Sequence, residues 1–285
     1  MAVRLQSVWR HALRGAHSRH SSSLVSTSSS STLDGAFYIT LNNPRRRNAL
    51  SLEVLQSLDD IISRAIDYDE VNVVVIRSAC PGVFSSGHDL SELQSMSRAE
   101  HEQLFNLCSN VMIRIETSPK PFIAEVDGIA TAAGCQLVAS CDLAVCTSSS
   151  KFATPGVNLG LFCSTPAVPL MRSMTRKHAM EMLLTGEFIT ATRAREMGLV
   201  NFVVANNDEI DDTVRSLALR ISSRSTAAIR HGKNGLERWN GLENIRDIYA
   251  VASMTMVEDM QRDDASEGFS AFFEKREPKW GKKKW

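Results

Sequence analysis

The sequence predicts an α/β core that is followed by an all-helical C-terminal region. Short β-branched or apolar runs alternate with segments of helical periodicity, which is the pattern of an α/β protein with buried sheets. After about residue 208 the strand patterns stop, and apolar residues recur at helical spacing. We therefore predict an N-terminal leader over residues 1–33, an α/β core over 34–210 and a helical region over 211–285.

Five segments have the composition of strands. Residues 37–41 alternate between apolar and mixed side chains and end at the turn formers of residues 42–44. The β-branched run VNVVVI predicts a strand that is buried on both faces. With this run at residues 71–76, the remaining predicted strands cover 122–126, 143–147 and 199–204.

Helical segments are predicted between and after these strands. Ser51 is a suitable N-cap for a helix whose apolar side chains share one side. These side chains are Leu52, Leu55, Leu58, Ile62 and Ile66. Further helices are predicted over about 98–117, 131–140 and 178–184. In the C-terminal region, helical spacing relates Ile245, Ile248, Tyr249, Ala252 and Met256.

The composition excludes several classes of protein. The chain has 285 residues, of which 43% are hydrophobic and 22% charged, an ordinary globular balance. Its 32 basic residues equal its 32 acidic residues, which argues against a nucleic-acid binder. No run approaches the roughly 18 consecutive apolar residues of a membrane span. The six cysteines form no C-x-x-C pair and no metal-ligand spacing, so we predict reduced thiols and no metal site.

The N-terminal segment has a composition of its own. Residues 1–33 contain four arginines, no acidic residue and a serine-rich tract. Its apolar residues can share one face of a helix. This composition is typical of a mitochondrial or plastid transit peptide. The alternative interpretation is a tail without a targeting function.

Two segments contain the residues best suited to chemistry. Residues 84–90, FSSGHDL, follow a strand and turn through a glycine. In residues 120–136, KPFIAEVDGIATAAGCQ, a strand meets an Asp-Gly turn, and small residues then begin a helix near Ala133. Free N–H groups at that helix start, with one more from the Gly87–His88 turn, can bind an oxyanion. Small residues at a helix start also serve close packing alone, so both interpretations stay open at this point.

The chain resembles the crotonase (enoyl-CoA hydratase/isomerase) superfamily in several ordered motifs. LNNPRRRNAL at residues 41–50 matches the family's Leu-Asn-x-Pro-x-x-x-Asn-Ala-Leu segment, and FSSGHDL and KPFIAEVDGIA match two more. The match continues to EGFSAFFEKR at residues 267–276, so the resemblance spans about residues 35–280. It implies a spiral core of repeated ββα units and C-terminal helices that form a trimer or a dimer of trimers. The alternative for these helices is packing within one chain.

The resemblance also implies the positions of a ligand site. The family's two backbone N–H groups that bind a thioester carbonyl oxygen map onto His88 and Ala133. The CoA path maps onto His88, Asp89, Leu90 and Ser91, although the family often has a lysine where this chain has Ser91. Asp89 also suits the N-cap of the following helix.

Two C-terminal residues are implied to contact CoA from a neighbouring subunit, namely Phe272 and Lys275. In family hexamers the equivalent positions reach the CoA of the adjacent chain. CoA itself arrives as part of the thioester substrate, so the resemblance implies no separate cofactor. Similarity to a mitochondrial member of the family favours the mitochondrial matrix and a place in fatty-acid or acyl-CoA metabolism.

The chain departs from the family at the two glutamates that hydratases use. One carboxylate activates water and the other donates a proton to the α-carbon. These positions are occupied by Gln136 and Gly156. An amide has no useful basicity, and glycine supplies no group at all. We therefore expect negligible hydration of crotonyl-CoA.

Three hypotheses of function follow. The first is an acyl-CoA enzyme that uses the oxyanion site without the glutamates, as a decarboxylase or an isomerase. The second is a non-catalytic acyl-CoA binder that buffers or regulates fatty-acid metabolism. The third is an enoyl-CoA hydratase with relocated acid and base groups. Sequence alone does not decide among them, because function depends on the site rather than the fold.

Overall fold

The computed structural model describes residues 24–29 and 35–281. The strands are β1 (Val25–Ser29), β2 (Ala36–Leu41), β3 (Val73–Ser78), β4 (Val83–Ser85), β5 (Phe122–Val126), β6 (Ile129–Thr131), β7 (Leu143–Thr147), β8 (Lys151–Ala153), β9 (Ile189–Thr190) and β10 (Phe202–Val204). The helices are α1 (Leu52–Asp67), α2 (Leu90–Ser95), α3 (Arg98–Glu116), α4 (Ala133–Ser140), α5 (Ser164–Ser173), α6 (Arg176–Thr185), α7 (Ala191–Met197), α8 (Asn207–Ser222), α9 (Thr226–Trp239), α10 (Ile245–Met260) and α11 (Asp263–Glu274).

Two sheets form the core. The larger has the order β1-β2-β3-β5-β7-β10 and is parallel except for β1, which pairs antiparallel with β2. The smaller has the order β4-β6-β8-β9. The chain passes three times from a strand of the larger sheet to a short strand of the smaller one, at β3–β4, β5–β6 and β7–β8. The predicted α/β fold of repeated ββα units is therefore confirmed.

Both faces of the larger sheet are buried. On β3, Val74 and Ile76 join the core beneath α1, α3 and α4, whereas Val73 and Val75 join a second core beneath α8. Because successive residues of a strand point to opposite faces, a strand covered on both sides needs a continuous apolar run. This explains the β-branched segment that the sequence shows at this position.

The helix ends follow their capping residues. The Ser51 side chain accepts a hydrogen bond from the Val54 N–H at the start of α1. Ser97 and Glu100 form a reciprocal capping box at the start of α3, which ends at Glu116, close to the predicted residue 117. Within the described part of the chain, no helix is both long and apolar enough to cross a membrane.

Some elements differ from the sequence-based prediction. The strand expected over 199–204 is limited to β10, because Leu199 and Val200 are buried in the loop that precedes it. The predicted boundary between residues 210 and 211 falls inside α8, which packs on the larger sheet. β1 lies within the predicted leader, whose residues 1–23 and 30–33 fall outside the described residues. The extent of the leader stays a prediction.

Candidate active site

A cavity of about 400 Å³ lies at the ends of β4 and β6, beside the first turn of α4. Two turns, the segment that follows β8 and a phenylalanine of α3 form its wall, and most of the lining side chains are apolar. The lining residues are Ser86, His88, Leu90, Leu93, Phe105, Ala132, Ala133, Pro155, Gly156, Leu159, Leu161, Phe162, Cys163, Ser164, Thr165 and Pro166.

The structure brings together only part of the predicted site. Four of the predicted residues line the cavity, namely His88, Leu90, Ala133 and Gly156. The others lie outside its wall, namely Asp89, Ser91, Gln136, Phe272 and Lys275. Both positions implied to hold the thioester carbonyl oxygen therefore line the cavity, whereas most of those implied to hold the rest of CoA do not.

The turn at Gly87 and His88, which follows β4, is anchored by the segment that precedes α1. The Leu50 N–H donates to the Gly87 carbonyl oxygen at 2.7 Å. In a trans peptide the C=O and the following N–H point in opposite directions, so this bond directs the N–H of His88 away from Leu50. Gly87 has a φ of +83°, a left-handed conformation that favours glycine. The donor at His88 therefore has a fixed orientation.

Asn48 also anchors this turn, through hydrogen bonds to the residues that precede it. This side chain is buried, and its Nδ2 donates to the Phe84 carbonyl oxygen at 3.0 Å and to Ser78 Oγ at 2.7 Å. Ser85 Oγ donates to the Asn48 carbonyl oxygen at 2.8 Å. The Asn-Ala-Leu motif of residues 48–50 thus has a structural role, because it connects the strand end to the turn that presents His88.

The second turn, at Ala132 and Ala133, follows β6 and begins α4. Ala132 has a φ of +49° and a ψ of −120°, which is strained for a residue with a Cβ. Its N–H donates to the Ala153 carbonyl oxygen, and its own carbonyl oxygen accepts from the Gln136 N–H, each at 3.0 Å. The second of these bonds fixes the peptide between Ala132 and Ala133, and the first holds the preceding peptide. The N–H of Ala133 is then a free donor at the positive end of the helix dipole.

The two turns contact each other closely. A Cβ placed on Gly87 would lie 3.2 Å from the Ala133 nitrogen and 2.8 Å from the Ala132 Cβ. A Cβ on Gly134 would lie 2.5 Å from the Ser85 carbonyl oxygen. Only glycine permits this approach. Within residues 35–281, neither the His88 N–H nor the Ala133 N–H donates a hydrogen bond.

His88 is one of the residues that line the cavity, and its imidazole has a defined tautomer. Its Nδ1 lies 3.0 Å from the Leu50 carbonyl oxygen, which accepts only if Nδ1 carries the proton. Nε2 is then an acceptor, and it is buried without a hydrogen-bond partner among the described residues. Burial lowers the pKa of His88, an effect that the hydrogen bond with Leu50 opposes. The ring therefore stays neutral near pH 7, and its centroid lies 5.4 Å from the Phe105 centroid in an edge-to-face arrangement.

The two positions at which the family resemblance implies glutamates have different surroundings. Gln136 lies one turn along α4 from Ala133, is 3% exposed, and its Oε1 has no partner among the described residues. At Gly156, an added Cβ would meet Cys163 Sγ and the Leu161 carbonyl oxygen, each at 2.8 Å. The Gly156 N–H also donates to Cys163 Sγ at 3.3 Å. The chain therefore lacks both the second carboxylate and the space for it.

Asp89 and Ser91 belong to the start of α2. Asp89 Oδ1 accepts from the N–H of Ser91 at 3.0 Å and of Glu92 at 3.3 Å, as a helix N-cap. The Ser91 hydroxyl is the main cause that lowers the pKa of Asp89. Arg46 Nη1 donates to Ser91 Oγ at 3.1 Å and lies 3.7 Å from Asp89 Oδ2. This guanidinium stands beside the position where the family often has a lysine, a feature that sequence spacing did not indicate.

Phe272 and Lys275 lie in a different region. Phe272 is 77% exposed on α11 and lines a second cavity of about 520 Å³ with Trp280 and other residues of the C-terminal helices. Lys275 ends α11 with a φ of +55°. Their implied contact with a neighbouring subunit's ligand stays a prediction.

The fold and the cavity together define a class of protein. The spiral of ββα units and the apolar cavity lined by His88 and Ala133 are the arrangement expected for crotonases. The sequence profile described as Enoyl-CoA hydratase/isomerase matches residues 32–283. The chain belongs to this family, as its motifs predicted.

Individual relatives are similar over most of their length. The chain is 48% identical over 248 residues to the mitochondrial enoyl-CoA hydratase domain-containing protein 3 of Mus musculus, covering 87% of this chain and 82% of the mouse protein. The crystal structure of human enoyl Coenzyme A hydratase domain-containing protein 3 has 44% identity and a TM-score of 0.85, covering 90% of this chain and 100% of that one. An enoyl-CoA hydratase structure from Mycobacterium smegmatis has 43% identity and a TM-score of 0.85, covering 90% and 98%.

Proposed function

We propose that this protein binds acyl-CoA thioesters in the mitochondrial matrix through an oxyanion hole and does not hydrate them. The N–H groups of His88 and Ala133 bind the thioester carbonyl oxygen. The observation that carries the proposal is the pair of unpaired N–H donors, each fixed by a hydrogen bond on the other side of its peptide plane. Fixed donors need no reorganisation when charge develops on the oxygen, and one such donor is worth about 10²–10³ in rate.

The surroundings of the donors suit an acyl-CoA. Apolar side chains form most of the cavity wall, which matches an acyl chain. Arg46 places an exposed cation beside Ser91, where it can bind an anionic phosphate of CoA. CoA enters as part of the ligand, so no separate cofactor is part of the proposal.

The absence of hydration follows from the lining groups. In the described part of the chain, no aspartate or glutamate lines the cavity. Each missing acid or base group typically costs about 10²–10⁴-fold in rate. This argues against a hydratase with relocated carboxylates. It leaves a thioester enzyme of another kind or a binder without turnover.

A variant that lacks one N–H tests the proposal. Ala133→Pro removes the donor at the first helical position, where proline is otherwise tolerated. We expect hexanoyl-CoA to bind at least about tenfold more weakly to Ala133→Pro than to the wild type. The reason is the loss of one N–H donor to the thioester carbonyl oxygen. The matched control is Ala133→Gly, which keeps the N–H and should keep the affinity. Calorimetry gives the dissociation constants, and crotonyl-CoA in the same series should show no measurable hydration.

A ligand comparison makes the test independent of the variant's folding. The S-hexyl thioether of CoA has a methylene in place of the carbonyl group. It should bind the wild type more weakly than hexanoyl-CoA. Equal affinity for the two ligands would contradict the oxyanion hole, and ordinary turnover of crotonyl-CoA would contradict the loss of hydration.

The location and the assembly complete the proposal. Curated relatives such as the mouse protein are named mitochondrial, which supports the mitochondrial location proposed here. Large apolar side chains are exposed on α10 and α11, which supports burial between copies of the chain. They include Tyr249, Met254, Met256, Val257, Met260 and Phe273. The mass in solution should be that of a trimer or of two trimers.

A further inference from the structure

We infer that the ligand is a long-chain fatty-acyl thioester without a second carboxylate, and that Leu159, Leu161 and Phe162 determine the preference for chain length. The inference rests on the proposed function, since it names the acyl group that the thioester site holds. We call these three side chains the apolar rim. Their role is to cover the distal part of the acyl chain, which the enclosed part of the cavity does not reach.

The apolar rim lies where the cavity opens to solvent. Leu159, Leu161 and Phe162 line the cavity, yet they are 60%, 59% and 49% exposed. Two neighbours in the same wall, Cys163 and Pro166, are buried. A contiguous group of exposed apolar side chains often marks a surface that a ligand or a partner covers. An acyl chain that begins in the cavity can continue onto the rim without a break in its apolar contacts.

The backbone that carries the apolar rim is folded in place. The 3₁₀ turn Pro155–Leu159 follows β8 and ends at Gly160, which has a φ of +74°. The Leu161 N–H donates to the Gly156 carbonyl oxygen at 2.9 Å, so the segment folds back on the cavity wall. Because this segment is already ordered by hydrogen bonds, a ligand that binds there pays little for ordering it.

The position of Arg46 assigns the two ends of the ligand. Its guanidinium donates to Ser91 at the start of α2, beside the lining residue Leu90. A CoA phosphate that pairs with this cation places the CoA end of the ligand on the side of α2. Residues 155–166 supply most of the wall that α2 and the two turns do not supply. The acyl end therefore meets this segment and, beyond it, the apolar rim.

The charge of the wall argues against an acyl group with a second carboxylate. No lysine or arginine of the described chain lines the cavity, and its only ionisable side chains are those of His88 and Cys163. Burial lowers the pKa of His88 and raises the pKa of the Cys163 thiol, so both are neutral near pH 7. A carboxylate in the cavity would lose water without gaining a counter-charge. Malonyl and succinyl thioesters are therefore poor ligands.

A series of saturated acyl-CoA ligands tests the preference for chain length. A methylene group that leaves water entirely gains about fourfold in affinity. The rim covers only one side of the chain, so we expect about twofold for each added methylene. Dodecanoyl-CoA should then bind the wild type about 60-fold more tightly than hexanoyl-CoA. Calorimetry measures both dissociation constants, at concentrations below those at which dodecanoyl-CoA forms micelles.

The double variant Leu161→Ser, Phe162→Ser tests the apolar rim itself. Both side chains are largely exposed, so their replacement should leave the fold intact. The affinity ratio of dodecanoyl-CoA to hexanoyl-CoA should fall from about 60 to about 10 or less. The matched control is Leu219→Ser on α8, because this leucine is 40% exposed and does not line the cavity. The control should keep the ratio of the wild type.

A second pair of ligands tests the exclusion of charge. Butanoyl-CoA and succinyl-CoA have acyl groups with the same number of carbons, but only the second carries a carboxylate. Succinyl-CoA should bind the wild type at least about tenfold more weakly than butanoyl-CoA, because its carboxylate finds no cation in the cavity.

The outcomes separate this inference from the proposed function. Equal affinity for dodecanoyl-CoA and hexanoyl-CoA, or for succinyl-CoA and butanoyl-CoA, overturns the inference and leaves thioester binding intact. A double variant that keeps the wild-type ratio also overturns it, and a lower mass in solution for that variant would show that a second copy of the chain covers the rim. Wild type that binds no acyl-CoA overturns the proposed function itself, and the present inference with it.

Discussion

At the scale of single residues, Gly156 explains why the cavity has no carboxylate at this position for the hydration of a double bond. A Cβ added at this position would lie 2.8 Å from both Cys163 Sγ and the Leu161 carbonyl oxygen. The sequence predicted the loss of a carboxylate here, because the position is glycine. It did not predict that the following segment fills the space, because the contact joins Gly156, inside the 3₁₀ turn Pro155–Leu159, to residues that follow this turn.

Restoring the glutamates should therefore fail to restore hydration. The double variant Gln136→Glu, Gly156→Glu has both carboxylates in its sequence, but the side chain at 156 must displace the Cys163 segment. We expect no measurable turnover of crotonyl-CoA and a free energy of unfolding lower by about 1–3 kcal/mol, the usual cost of overpacking. Denaturant unfolding and an absorbance assay measure the two quantities.

A second glycine provides the control for this variant. At Gly232 on α9 an added Cβ meets no atom within 4 Å, so Gly232→Glu should leave stability nearly unchanged. Hydratase turnover by the double variant at a rate typical of the family would show that the Leu161–Cys163 segment moves aside at little cost. The steric explanation would then be wrong.

At the scale of elements, the motif of residues 48–50 holds the turn that presents His88. The family resemblance assigned the two N–H donors to His88 and Ala133 but gave no reason for their orientation. That orientation depends on hydrogen bonds between segments 36 to 38 residues apart, such as those of Asn48 with Phe84 and of Leu50 with His88. Local sequence patterns do not encode such pairings, so the structure was needed to find them.

Loss of the Asn48 side chain should destabilise the turn. Asn48→Ala leaves the Phe84 carbonyl oxygen and the Asn43 N–H without their buried partner. It also places alanine at a φ of +52°, which asparagine tolerates better. We expect unfolding to become easier by about 1–3 kcal/mol for each unpaired group, together with weaker hexanoyl-CoA binding.

The neighbouring asparagine is the matched control for the motif. Asn42 makes no side-chain hydrogen bond in residues 35–281, and Asn42→Ala should change stability by less than about 0.5 kcal/mol. Equal losses in the two variants would mean that Asn48 has no special role in holding the turn.

At the scale of the whole molecule, periodicity predicted the larger sheet better than the smaller one. The run at residues 71–76 predicted β3, because a strand buried on both faces leaves a continuous apolar signal. Strands β4, β6, β8 and β9 have two or three residues each, which is too short for a pattern of alternation. Two of them, β4 and β6, nevertheless lead directly into the turns that carry the two donors.

The C-terminal region shows a second limit of sequence reasoning. Helical spacing predicted the helices beyond residue 208, but not that α8 covers the larger sheet while α10 and α11 leave apolar side chains exposed. Spacing reports which side of a helix is apolar, not what covers it. The roles expected for Phe272 and Lys275 depend on the assembled protein.

The most direct test of the account is the infrared spectrum of the thioester carbonyl group. Hexanoyl-CoA labelled with ¹³C at the carbonyl carbon isolates this band from those of the protein. Two hydrogen bonds from the N–H groups of His88 and Ala133 should polarise the C=O bond and move the band of the bound ligand to lower wavenumber than in water. Ala133→Pro should reverse part of that shift. A band that binding leaves unmoved would contradict the account.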